Sequence, residues 1–477
     1  MTLHNRRRPH PTERVRRVAR SAALLAMLVG LLAAQASAAP TAAAADERRS
    51  YTGAIDGAQY RVEMPARWNG TLVLYSHGGF PEEYPPPSIF LTNHPQTETW
   101  LLDHGYALAG SNFNPPTGYH VERALHDQTA LLDWFEHNIG RPERTIATGQ
   151  SLGATVALLL SERRPGRFAG VATVCGTFDM HAVLNAGLDI TFVVKTLLAP
   201  REDIELVLMR DRERSTQALQ QAVERALATR KGRARLALAG ALNNVPGWYS
   251  GHQPRPTEMT EWIRQQAAWI TNAYIFGFGS LRADLERKAG GNPSSNVGID
   301  YRRQLARSTQ TALVRRAYRE AGLELRDDLG RLAAAPRIAS DPAAVAYMER
   351  LGVGGTTPVP TLTMHTTGDG GAVPDQERWL ATRVGRNGDP SRLRQLFVER
   401  GAHCTNSAAE EIVALGALVE RIDTGRWPRL SPNRLNAAAA ALGAPYQLVF
   451  DVATLQNGPM PPAFTSYQPP QPLRPTR

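Results

Sequence analysis

Residues 144–163 read RTIATGQSLGATVALLLSER. A short β-type run meets a Gly-x-Ser-x-Gly turn and passes straight into an apolar helical run. Glycines at 149 and 153 permit a turn sharp enough to leave the Ser151 hydroxyl exposed on a strained backbone position. A chain that presents a serine in this way needs a strand edge in front of it and a helix behind it, which points to an α/β layered fold.

The flanking sequence keeps that rhythm. Strands are expected at Tyr60–Met64, Thr71–Ser76, Tyr106–Ser111, Arg144–Thr148 and Phe168–Val174, with helices over 121–138 and Leu152–Arg163. Strands alternating with helices predict a mostly parallel sheet covered on both faces. The pattern stops over 181–355, about 175 residues of mainly helical character, too long for a loop. It resumes with strands at Pro360–His365 and Leu393–Glu399 and a helix at Ala408–Arg421. The expected organisation is a core over 51–180 and 356–427, a helical cap over 181–355, and a C-terminal extension over 428–477. The proline-rich end of that extension, 459–477, is expected to be disordered.

A serine hydroxyl needs a base to attack a carbonyl, and in this type of turn the partners follow in the order acid, then histidine. His403, in ERGAHC just after a strand, is the candidate base, and Asp369, in TTGDGG at the end of the strand PTLTMH, is the candidate acid. Asp375, past Pro374, is the alternative acid, with helix N-capping as its other reading. The Leu152 amide, at a helix start, is one candidate oxyanion donor. The second lies in His77-Gly78-Gly79-Phe80, with Gly79 ahead of Phe80, and His77 is read as organising that loop. This chemistry needs no metal or organic cofactor.

These motifs resemble the α/β-hydrolase superfamily: HGG after the third strand, GQSLG at the serine, GDGG at the acid and GAHC at the base. WNGTLVLYSHG, HTTGDG and RIDTGRWP are also similar to secreted actinobacterial serine esterases and prolyl-oligopeptidase-like hydrolases. The resemblance spans about residues 55–180 and 356–425. It implies an eight-stranded, mostly parallel sheet, a cap inserted after the sixth strand, and a Ser151–Asp369–His403 triad. His403-Cys404 further resembles feruloyl esterases and tannases, where that cysteine is bonded to one beside the serine. Here Gln150 precedes Ser151, so Cys175 is the remaining partner, and a Cys175–Cys404 bond would tether the histidine loop to the sheet. The other reading is two buried thiols.

The N-terminus has the layout of a secretory signal peptide over 1–38: basic residues 6–20, a 13-residue apolar run over 22–34, and Ala36-Ser37-Ala38. Its seven arginines against one acid hold six of the ten net positive charges. The rest is only mildly basic and has no basic stripe with interleaved aromatics, so nucleic acid is a poor partner. The expectation is an exported protein with no stable membrane span after cleavage. Its substrate would be a small-molecule or polymeric ester. A peptidase of prolyl-oligopeptidase-like or aminopeptidase type would use the same three residues, and an acyltransferase differs only in water exclusion. The cap aromatics, Trp248, Tyr249, Trp262, Trp269, Tyr274, Phe276 and Phe278, are expected mostly in the cap core, with one or two lining a pocket.

Overall fold

The structure, a computed structural model, describes residues 48–474. The signal-peptide expectation lies outside these residues.

Nine strands form one sheet in the order β1-β2-β4-β3-β5-β6-β7-β8-β11. They are β1 (Arg49–Ile55), β2 (Ala58–Met64), β3 (Thr71–Ser76), β4 (Ala107–Ser111), β5 (Arg144–Gln150), β6 (Gly170–Val174), β7 (Thr361–Gly368), β8 (Leu393–Gly401) and β11 (Phe464–Thr465). The strands from β4 across to β8 are parallel, while β2 and β11 run antiparallel to them and β1 pairs antiparallel with β2. Side chains of β3 and β4 are buried on both faces, as a sheet sandwiched between helices requires.

The helices α1 (Pro95–Asp103), α2 (Val121–Asn138) and α3 (Leu152–Arg163) flank the first part of the sheet. After β6 the chain leaves for the cap. Its helices are α4 (Met180–Leu198), α5 (Arg212–Leu227), α6 (Arg230–Ala241), α7 (Met259–Trp269), α8 (Phe278–Ala289), α9 (Tyr301–Arg307), α10 (Thr311–Glu320) and α11 (Leu325–Ala334). Asp179, Asp211 and Thr229 accept backbone N–H bonds at the starts of α4, α5 and α6, as N-caps do. Between α7 and α8, Ile270–Gly277 is a π-helical stretch, so one bent helix runs from Met259 to Ala289.

The last helix before β7 packs on the cap helices α8 and α4 as well as on the core. The helix α12 (Pro342–Arg350) carries the chain back down to β7, and its Ala344, Tyr347 and Met348 are buried in the same cluster as α2 and α3. The second part of the core adds α13 (Asp375–Asn387) and α14 (Ala408–Thr424).

The C-terminal extension holds α15 (Pro432–Ala441) and the hairpin β9 (Leu448–Asp451) with β10 (Gln456–Pro459). The proline-rich tail is not disordered over its described length. Phe464 pairs with Val398 to add β11, a ninth strand beyond the expected eight. Farther on, Arg474 donates to both carboxylate oxygens of the buried Asp189 on α4, at 2.8 Å each. A buried carboxylate needs such a partner, and proline content alone does not reveal one.

Candidate active site

Ser151 stands at the junction of β5 and α3 with φ 54° and ψ −121°, and its amide donates to Val174 O. The turn depends on its two glycines. A Cβ on Gly149 would lie 2.2 Å from Gly153 O, and one on Gly153 would lie 2.1 Å from Ser76 O. Both contacts are with backbone, so neither position has room for a side chain.

His403 and Asp369 come from the loops after β8 and β7. The Ser151 hydroxyl donates to His403 Nε2 at 2.9 Å, and His403 Nδ1–H donates to Asp369 Oδ2 at 2.6 Å. Asp369 is fully buried, and its other oxygen accepts the amides of Gly371 (2.8 Å) and Ala372 (2.9 Å). Burial opposes its charge, but the two histidines it faces, His403 and His365, hold the carboxyl below its ordinary range. Asp375, the alternative acid, is not part of this chain of bonds. It opens α13 just after the cap residue Pro374, and burial pushes its carboxyl up to about 7.

The histidine loop is clamped from below. Ala402 and Cys404 both have positive φ. The buried Arg400 donates to Thr405 O (2.7 Å) and Pro461 O (2.9 Å) and pairs with Glu410, which closes a capping box with Ser407. Cys404 is bonded to Cys175, whose α-carbon is 5.4 Å away.

On the oxyanion side, a Cβ on Gly78 would meet Ser151 Cβ at 3.3 Å, whereas one on Gly79 would meet Leu152 and Leu281 side chains at 3.5 Å. Gly78 therefore presses its α-carbon against the serine, and Gly79 lies farther along, beside Leu152 and under the cap. His77 is buried, hydrogen-bonded to Gly78 O at 2.7 Å and stacked on Phe113, and burial lowers it to about 4. Its place is the loop interior.

Above Ser151 and His403 is a cavity of about 180 Å³, lined by Phe80, Phe90, Trp269, Leu281 and Phe450 among others. Of the cap aromatics, Trp269 reaches this cavity from the last turn of α7. Trp248 and Trp262 face a separate void of about 410 Å³ under the tail, which touches none of Ser151, Asp369 and His403. Tyr249 and Tyr274 are cap core.

Cys175, His403 and Cys404 are the one cluster of metal-ligating residue types found among the described residues, and both its sulfurs are in the disulfide. Two residues packed beside the Asp369 loop carried no sequence signal. His365 reads as one more position of a buried strand, and Glu377 as an exposed helix acid. The structure buries both completely against the Asp369 loop.

Residues 54–307 match a family described as a tannase-like family of unknown function (DUF6351), more than half of the chain. The chain belongs to this tannase-like family. The o-phthalyl amidase of Xanthobacter agilis is 28% identical over 417 residues, covering 81% of this chain and 90% of that protein. Among solved structures, an esterase from Aspergillus oryzae matches with a TM-score of 0.36 and 12% identity, covering 80% of each chain. Feruloyl esterase B from Aspergillus oryzae matches with a TM-score of 0.34 and 11% identity, again over 80% of each chain. This tannase-like protein is an α/β-hydrolase and a hydrolytic enzyme.

Proposed function

We propose that the protein is a secreted serine hydrolase that cleaves carboxylic esters through an acyl-enzyme. The observation that carries this reading is the unbroken hydrogen-bond chain from Ser151 through His403 to Asp369 at the floor of an apolar cavity. Ser151 Oγ attacks the ester carbonyl while His403 Nε2 takes its proton. Asp369 holds the ring in the tautomer that leaves Nε2 free and stabilises the imidazolium. The Leu152 and Gly79 amides receive the oxyanion. As the tetrahedral adduct collapses, His403 returns the proton to the departing alkoxide. Water then repeats the sequence on the acyl-enzyme, releasing the acid and restoring Ser151.

Phe80, Phe90, Trp269 and Phe450 favour an apolar acyl group, aromatic or short aliphatic. Export is supported by the signal-type N-terminus and by a disulfide beside the catalytic histidine.

A second reading has an amide as substrate, hydrolysed by the same residues. The similarity to o-phthalyl amidase favours it. An exopeptidase is less well supported, because the cavity lining includes no Arg, Lys, Asp or Glu among the described residues to pair with a peptide terminus.

The test is turnover of 4-nitrophenyl esters of increasing acyl length beside aryl amides with the same acyl groups, for the wild type and Ser151→Ala. The variant is expected to lose on the order of 10⁴-fold or more in kcat. A fluorophosphonate should label wild-type Ser151 and spare the variant. Undiminished turnover by Ser151→Ala would overturn the mechanism, and amide turnover exceeding ester turnover would favour the second reading.

A further inference from the structure

His365 lies within β7, fully buried, with an oxygen opposite each ring nitrogen. Nδ1 is 3.0 Å from Glu377 Oε1 on α13. Nε2 is 2.8 Å from Ala372 O and 3.4 Å from Asp369 Oδ2, the same oxygen that accepts from His403. A neutral imidazole has one N–H, so it would leave a lone pair aimed at an oxygen. The second oxygen of Glu377 accepts from Thr363 Oγ1 and Gln395 Nε2, which suits an ionised carboxylate. Donation from both ring nitrogens satisfies every one of these contacts.

We propose that His365, kept as an imidazolium by Glu377, is a positioning residue for the acid of the triad: it ties the Asp369–Ala372 turn to α13 and offsets part of the Asp369 charge that His403 feels. The proposal rests on the triad reading above. Burial opposes the charged ring, but hydrogen bonds and charges of Asp369 and Glu377 outweigh it and push His365 up to about 10.

The other titratable groups nearby come from three directions. Asp375 shares α13 with Glu377, Asp179 caps α4 and acts on Asp375, and Tyr274 of the cap interacts with Asp369. His365 and His403 both approach Asp369 Oδ2, so a charge on His365 acts on the oxygen that His403 uses. Removing it lets Asp369 favour a protonated ring at position 403 more strongly, so the base is lost at a higher pH.

The experiment compares the pH dependence of kcat/KM on one 4-nitrophenyl ester for wild type, His365→Gln and Ser151→Ala, all as full-length protein. In His365→Gln the acid limb is expected about one pH unit higher, with the plateau reduced less than about tenfold. A limb that stays within about 0.2 pH unit of wild type, while Ser151→Ala is inactive, overturns this proposal and leaves the triad reading standing. Active Ser151→Ala overturns both.

A second measurement does not depend on how well His365→Gln folds. With ring-¹⁵N-labelled histidine, the wild type should retain one histidine carrying two ring protons at pH 8.5, and Glu377→Gln should lose the second proton at lower pH. A wild-type spectrum with no doubly protonated histidine above pH 8 overturns the proposal.

Discussion

Cys404 is bonded to Cys175 across 229 residues of sequence, and each end sits at a turn of the candidate site. Cys404 follows the catalytic-base candidate His403, and Cys175 follows β6, whose Val174 carbonyl holds the Ser151 amide. The bond therefore joins the backbone beside His403 to the backbone that holds the Ser151 amide. Reduction, or the pair Cys175→Ser and Cys404→Ser, should lower stability by about 2–5 kcal/mol. It should also depress kcat more than it raises KM, because His403 loses its support. Denaturant melts with and without reductant, paired with kinetics, check this, and unchanged kcat in the double variant would refute the tether.

The two loop glycines should respond differently. Gly78→Ala puts a methyl group within 3.3 Å of Ser151 Cβ, and Gly79→Ala meets only movable leucine ends at 3.5 Å. Gly78→Ala should lose about tenfold or more in kcat while folding normally, and Gly79→Ala should stay within about threefold of wild type. Gly153→Ala meets backbone at 2.1 Å and should fail to give soluble protein. Circular dichroism separates folding from rate in this series.

Partly buried Arg474 pairs with the fully buried Asp189, and Tyr301 and Gln304 complete the shell of the carboxylate. Arg474→Ala leaves that charge without its cation and should cost about 3–5 kcal/mol. Asp189→Asn combined with Arg474→Ala should recover part of the loss, which urea unfolding of the single and double variants will measure.

Asp375 gives a signed pH prediction. Its folded pKa is raised to about 7 by burial, above the ordinary carboxylate value. Between about pH 4 and 7 the folded state holds the proton more tightly than the unfolded one, so stability falls as pH rises, by up to about 1.4 kcal/mol per pH unit. Asp375→Asn should be more stable than wild type at pH 7.5, and the advantage should vanish near pH 4. Urea midpoints at the two values decide it.

Much of this was legible in the sequence because it is local. The bounds of α2 and α3 and the positions of β3, β5, β7 and β8 follow from hydrophobic period and from the glycines around Ser151. The bonding of Cys175 to Cys404 is not local: it is suggested by the resemblance of His403-Cys404 to feruloyl esterases and tannases, with two buried thiols as the other reading, and the structure shows the bond. What escaped depends on contacts between distant segments. The edge strand β1 is mostly exposed and has little apolar alternation to betray it. The strand β11 exists because Phe464 finds Val398, and the tail is ordered because Arg474 finds Asp189. His365 and Glu377 are twelve residues apart on a strand and a helix, so only tertiary packing brings them together.

The helix α12 leads from the cap to β7 and shares one buried cluster with α4 and α8 of the cap and α2 and α3 of the core. Everything between α4 and α12 is thus, in topological terms, an expansion of a single strand-to-helix connection. Such a connection can change in length while β5, β7 and β8 keep their places in the sheet. The cavity above Ser151 is therefore a joint product of that expansion, through Trp269 and Leu281, and of segments outside it, through Phe80, Phe90 and Phe450.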